Sequence, residues 1–216
     1  MTFNLLTRFY FLTLLLCTYV VNAQITTDSI NSEKQTETQK THLNLEISGV
    51  VPNAIGDNFA SKGFDFKYGI DFNFKGYFNN NLFFGLRFQH LRADVKNTTL
   101  VGVFEYSNVN SYIASVGYRF EIFDKFDLEP SIGLGATIYN NKKTSTSFDD
   151  KIDFNDEATS LIISLPINYR LKRRISFFVK PEYRIDFTEI KTASSRQDFF
   201  DEAHYMNILI GLRIGY

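Results

Sequence analysis

HYMNILIGLRIGY, residues His204 to Tyr216, is the stretch that decides the fold. Met206, Ile208, Ile210, Leu212, Ile214 and Tyr216 take the even positions, while Tyr205, Asn207, Leu209, Gly211, Arg213 and Gly215 take the odd ones. Successive side chains of a strand point to opposite faces, so this period of two describes a strand with one greasy and one mixed face.

Working outward, the same alternation recurs over residues 42–51, 64–77, 82–91, 109–122, 126–139, 158–170 and 174–187. It is cleanest in 64–77, where Phe64, Phe66, Tyr68, Ile70, Phe72 and Phe74 alternate with Asp65, Lys67, Gly69, Asp71, Asn73 and Lys75. Pro130, Pro166 and Pro181 fall inside these segments; each removes a ladder donor, so bulges or strand ends are expected there. The connections carry a second rhythm. Residues 52–63, 92–108, 140–157 and 188–203 form long ones, and 78–81, 123–125 and 171–173 form short ones, in strict alternation. An antiparallel ribbon that crosses a bilayer with tight turns on one side and loops on the other gives this pattern.

The chain has 216 residues, 44% hydrophobic, a length that suits one all-β domain. Its 23 Phe and 12 Tyr favour pleated and interfacial surfaces. With 23 basic against 24 acidic residues there is no positive surplus for phosphates, which excludes nucleic acid as a partner. Residues 1–23 read as a signal peptide: Arg8, then the apolar run from Phe9 to Val21, then Val21-Asn22-Ala23. Residues 24–41 read as a flexible polar leader and 42–216 as the folded domain. Cys17, the one cysteine, lies in the signal, so the mature chain has no thiol chemistry; neither a cofactor nor a metal is expected.

Alternation alone does not say which face points inward. The strands are long, the polar face mixes Gly and Ser with long charged residues, and aromatics gather near the short turns (Tyr77, Phe78, Phe83, Phe120, Phe123, Phe126, Tyr169 and Tyr216). These features favour a polar interior and a lipid-facing greasy surface. The expected fold is all-β, an eight-stranded antiparallel up-and-down transmembrane β-barrel. Its lumen would hold a charge network of Glu46, Lys67, Asp71, Arg87, Arg119, Glu129, Lys180, Glu182, Arg184 and Arg213, together with Asp65, Lys75, Glu121, Asp127, Arg170 and Asp186. Buried charges must pair, and eight strands leave an interior only wide enough for side chains, so a diffusion pore is not expected. Arg213 would seek an acid on a neighbouring strand, and the last strand would pair with the first.

Eight alternating strands, three tight turns and four long loops, with the textures IGLGATIY (132–139), FFVKPEYRIDF (177–187) and ILIGLRIGY (208–216), resemble the small outer-membrane barrels of the OmpA/OmpX type and the porin-like outer-membrane β-barrel family. The resemblance implies the outer membrane of a Gram-negative bacterium, with both termini periplasmic and lipid and lipopolysaccharide around the barrel. It also implies that Tyr216, Ile214 and Leu212 form the signal read by the barrel-assembly machinery, and that the protein is a monomer. OmpA-like chains often continue into a peptidoglycan-binding domain; none follows the barrel in this sequence, so cell-wall anchoring is not expected.

Function is expected in structure or in loop-mediated binding of a surface protein or glycan, with Phe148, Phe154, Phe199 and Phe200 as loop aromatics. Two other readings are a lipid A-modifying barrel enzyme and a narrow ion channel. The enzyme reading needs a His and a Ser two positions apart on the lipid-facing surface, but His90 has Phe88 and Arg92 there, and His42 and His204 lack such partners too. The acidic stretch 148–157, without a Gly to support a calcium-loop turn, reads as a solvated loop.

Overall fold

The computed structural model describes residues 42–78, 81–142, 154–190, 192 and 196–215; the expected signal, the leader and Tyr216 lie outside these. In chain order the elements are β1 (His42–Val51), β2 (Ala54–Ile55), α1 (Phe59–Gly63), β3 (Phe64–Phe78), β4 (Leu82–Val95), α2 (Thr98–Val101), β5 (Tyr106–Tyr118) and β6 (Phe120–Phe123). Then follow β7 (Phe126–Leu128), β8 (Ser131–Lys142), β9 (Phe154–Ser164), β10 (Ile167–Lys172), β11 (Ile175–Thr188), α3 (Gln197–Asp201) and β12 (Glu202–Gly215).

Pairing runs β12–β1–β3–β4–β5–β8–β9–β11, and β11 pairs back onto β12, every pair antiparallel. That closed ring of eight strands removes the sheet edges. β6, β7 and β10 continue three of its strands toward the short turns after gaps at Arg119, Glu129–Pro130 and Leu165–Pro166. Backbone bonds cross these gaps, from Tyr118 N to Pro130 O (3.1 Å), Glu129 N to Pro166 O (3.0 Å) and Leu165 N to Pro181 O (3.1 Å). Pro130 and Pro166 sit at strand interruptions as expected. Pro181 does not: it lies inside β11 opposite Ile208. Its nitrogen faces the interrupted β9–β10 strand, where its own carbonyl still accepts from Leu165, so the missing N–H breaks no continuous ladder.

Outside, large apolar side chains such as Leu43, Phe74, Leu86, Leu134, Ile163 and Ile210 are exposed; inside, Glu46, Asp71, Lys75, Glu182, Arg184 and Arg213 are buried. A water-soluble domain has the opposite arrangement, whereas a barrel in lipid needs this one. Two members of the expected aromatic girdle are misplaced. Tyr77 and Phe83 are fully buried and face the lumen: Tyr77 follows Lys75 by two residues, which puts it on the charged face, and Phe83 stands opposite Tyr77.

The long-loop end is closed by an apolar cluster of Phe59, Ala60, Phe64, Leu91, Ala93, Val109, Tyr139, Tyr205 and neighbours. α1 reaches it because Asn58 caps the helix, accepting from Ser61 N at 3.0 Å while Ser61 Oγ accepts from Asn58 N at 3.5 Å. The Phe59 ring stacks on Phe200 at 5.8 Å and meets Tyr139 edge-on at 6.0 Å.

Candidate functional site

The lumen is built in tiers because inward positions on adjacent strands fall at matching heights. At the turn end, the register sets Glu46 of β1 opposite Arg213 of β12. Arg213 donates to Glu46 from Nε (2.9 Å) and Nη2 (2.6 Å), and to Glu129 from Nη1 (2.7 Å) and Nη2 (2.5 Å). Lys75 Nζ lies 2.7 Å from Glu46 and 2.9 Å from Glu129. Tyr77 Oη and Arg119 Nε complete the shell around Glu129, each at 2.9 Å. Aromatic faces carry part of the charge as well, with Lys75 4.6 Å from the Phe83 centroid and Arg119 4.1 Å from that of Tyr77.

One tier up, Arg87 bridges Asp71 and Glu182. Asn207 Nδ2 donates to Glu182 (3.0 Å) and Ser48 Oγ to Asp71 (3.2 Å). Lys180 Nζ lies 3.5 Å from Asp71 and 3.9 Å from Glu46, tying this tier to the one below. Above it, Arg184 donates to Asp186 (2.7 Å), Gln89 Oε1 (3.0 Å) and Thr137 Oγ1 (2.7 Å). Tyr139 Oη donates to Asp186 and lies 2.7 Å from Tyr205 Oη.

Taking these ions out of water costs several kcal/mol each, which only dense pairing and hydrogen bonding offsets. Lys75, Arg87, Arg119, Lys180, Arg184 and Arg213 balance Glu46, Asp71, Asp127, Glu129, Glu182 and Asp186 in number, so these tiers favour neither sign of ion. A cavity of about 20 Å³ beside Lys75, Arg87 and Lys180 remains, room for about one water.

Of the expected lumen residues, Glu46, Asp71, Arg87, Glu129, Lys180, Glu182 and Arg213 therefore meet in one network, Arg119 joins it with a side chain 17% exposed, and Arg184 forms a separate tier with Asp186 above it. Lys67 does not. Between Phe66 and Gly69 the β3–β4 register shifts by one residue, Phe66 facing Ala93 and Gly69 facing Leu91. This β-bulge inverts the faces above it. Phe64 turns into the mouth cluster, and Asp65 and Lys67 turn outward, where Lys67 Nζ pairs with Asp65 at 2.5 Å and Asp94 at 3.7 Å. Glu121 and Arg170 are also exposed, near the turns. Tyr139, Tyr205, Thr137 and Gln89 were not singled out from the sequence, although they share parity with the charges.

Among the other candidates, His90 Nδ1 lies 2.7 Å from Asn110 Oδ1, and an amide supplies no nucleophile. His204 Nδ1 lies 2.9 Å from Tyr183 Oη. Phe199 and Phe200, expected as exposed loop aromatics, are instead half-buried against the mouth cluster. Phe154 is exposed on β9 and stacks on Phe104, and Phe148 lies outside the described residues. Ile214 and Leu212 face outward on β12. Above the apolar band on β3–β5, Arg92 lies 4.2 Å from the Tyr106 ring centroid and pairs with Asp94 at 3.3 Å, beside the Lys67 pair. Among the described residues, no group of three or more His, Cys, Asp or Glu side chains converges on a metal-sized space.

The outer membrane protein beta-barrel domain profile matches residues 15–214. No curated protein matches the chain in sequence. Similar solved structures include Ail, the attachment invasion locus protein of Yersinia pestis, in complex with the heparin analogue sucrose octasulfate; it is 15% identical over 82% of this chain and 99% of that one, with a TM-score of 0.52. Neisserial surface protein A is 12% identical over 81% and 96%, with a TM-score of 0.45. The N-terminal beta-barrel domain of Pseudomonas aeruginosa OprF is 17% identical over 82% and 98%, with a TM-score of 0.41. The likeness to Ail, at this identity, is one of fold.

Proposed function

We propose, from the premise that this chain belongs to the outer membrane protein beta-barrel domain family, that it is a packed barrel whose task is structural or is carried by loop-end recognition, rather than by transport or catalysis. The observation that carries the reading is the lumen. Its tiers of ion pairs are overlain by an apolar mouth cluster, so a solute path would break several buried salt bridges, each such breakage costing about 3–5 kcal/mol. Recognition falls to the collar above the apolar band, where Lys67, Arg92, Asp94 and Tyr106 present mixed charge and an aromatic ring on a rigid wall. A surface protein or glycan fits that chemistry better than a polyanion does. The short turns and both termini then face the periplasm, lipopolysaccharide surrounds the loop end, and Tyr216, Ile214 and Leu212 guide the assembly machinery to a monomeric product.

Planar-bilayer recording on the purified, folded protein tests the lumen. No steady conductance is expected at moderate voltage, and reproducible single-channel steps would refute the packed plug. Lipid A from cells overproducing the protein is expected to be unchanged, with or without His90→Ala; a His90-dependent change in acylation would establish the enzyme reading instead. For recognition, whole cells displaying the barrel should bind a protein or glycan array through the collar, and Arg92→Glu should abolish that binding without altering surface yield.

A further inference from the structure

The lipid-facing wall is not evenly filled. The bonds from Tyr118 to Pro130 and from Leu165 to Pro181, with Ser131 opposite Ser164 and Ser164 opposite Glu182, set Pro130 and Pro181 at one level on either side of the β9–β10 strand. At this level a groove of about 770 Å³ lies on the outer surface, lined by Val116, Tyr118, Pro130, Ile132, Leu165 and Pro181 among others. The groove is shallow and open to the lipid along its length, and its lining is almost wholly apolar.

Directly below the groove lie the two turns that join β6 to β7 and β10 to β11. They carry Lys125, Lys172, Arg173 and Arg174, all exposed, and among the described residues none of the four has a carboxylate within ion-pair distance. The nearby acids are partly committed. Arg170 takes Glu121 at 3.9 Å, and its Nη1 and backbone N donate to the Asp124 and Lys125 carbonyls, which holds the turn in place. The rim is therefore net positive. From Pro130 to Lys125 is five residues and from Pro181 to Arg174 seven, or roughly 17–23 Å at ~3.3 Å per residue. A strand tilt of ~35–45° reduces this to roughly 12–19 Å of height. Half of the ~30 Å hydrocarbon core is ~15 Å, so a lipid whose phosphate rests on the turns ends its chains at the groove. Between them the wall is a continuous apolar track, with the Phe126 and Tyr169 rings in contact at 4.9 Å and Leu128 paired with Ile167 above them.

We infer that this face is a seat for one anionic diacyl phospholipid of the turn-end leaflet, its phosphate held by Lys125, Lys172, Arg173 and Arg174 and an acyl chain laid into the proline groove. The inference rests on the proposed orientation, in which the turns meet the phospholipid leaflet. The chain contains no Trp, so Phe120→Trp on the apolar track gives a single reporter, and Phe74→Trp on β3, away from the seat, gives a control. Each variant is folded into phosphatidylcholine vesicles containing a minor fraction of chain-brominated phosphatidylglycerol or of chain-brominated phosphatidylcholine, and tryptophan quenching reads the local lipid.

Brominated phosphatidylglycerol is expected to be enriched at position 120 by at least about fivefold over its bulk fraction, since one basic residue near an anionic lipid surface contributes about that factor. Enrichment should vanish in Lys125→Gln/Lys172→Gln/Arg173→Gln/Arg174→Gln, and position 74 should show none. Equal enrichment at both positions, enrichment that survives the fourfold substitution, or displacement by lipopolysaccharide but not by unlabelled phosphatidylglycerol would each overturn the seat. A folded wild-type barrel with no lipid preference refutes the seat while leaving the collar reading intact, and loss of collar binding refutes that reading without touching this one.

Discussion

Glu129→Gln keeps the shape of a buried side chain and removes its charge. In the wild-type protein this carboxylate is shared by Lys75, Arg213, Arg119 and the Tyr77 hydroxyl at 2.5–2.9 Å. Lys75 and Arg213 keep Glu46 after the substitution, but Arg119 has no other carboxylate within 4 Å among the described residues. Breaking a buried pair by removing one partner costs about 3–5 kcal/mol. The lower end applies here, because two cations retain an acid and the Arg119 side chain is 17% exposed, so water screens part of the loss. About 3 kcal/mol is roughly a 150-fold change in the folding equilibrium at 1.36 kcal/mol per decade. Urea titration of the refolded barrel, read as the ratio of compact to unfolded bands on an unheated gel, measures it. Arg119→Gln alone should cost less, and the double variant should fall short of the sum by about 0.5–3 kcal/mol, since the two side chains share one interaction. An unshifted urea midpoint for Glu129→Gln, or full additivity in the double variant, would show that the lumen charges are not coupled as described.

Lys67→Gln provides the contrast: the bulge puts that charge outside, so the same titration should show no movement, and a loss like that of Glu129→Gln would return Lys67 to the lumen. Gly211→Ala should hinder ring closure, since its Cβ would sit 2.2 Å from the Ile47 carbonyl oxygen and 2.6 Å from Ser48 Cβ; overpacking of this kind costs about 1–3 kcal/mol or more, and a wild-type folded yield would contradict it. Phe59→Ala removes the ring that stacks on Phe200 and should speed amide exchange around Tyr139 and Tyr205 while sparing insertion, at a cost approaching ~3 kcal/mol; unchanged exchange would mean that the mouth does not depend on α1. Deletion of Tyr216 is expected to lower outer-membrane yield more than deletion of any long loop, as quantified by surface labelling.

Much of this was legible along the chain. A period of two needs only the strand's own geometry, so β1, β8, β11 and β12 follow from residue parity, and so does the sorting of most charges to one face. Closure was legible as a requirement, because a strand ending on ILIGLRIGY with no edge protection has to pair. The proline positions announced interruptions, though Pro181 stays within β11 because the strand beside its nitrogen is itself broken.

What the amino-acid order determined by itself is therefore the class of the fold and the chemistry of its two faces, since both rest on alternation between neighbours in sequence. Tertiary structure decided the rest. The bulge at Lys67–Tyr68 lies in an unbroken alternation, so nothing local marks it; pairing with β4 imposes the extra residue and reverses the faces above. Ring closure also chose the partners, since Arg87 meets Glu182 across 95 residues and Arg213 meets Glu46 across 167. Those contacts depend on register around the whole barrel, as does the placing of Pro130 and Pro181 on one outer groove while Pro166 turns to the lumen, and register belongs to the closed sheet rather than to any single strand.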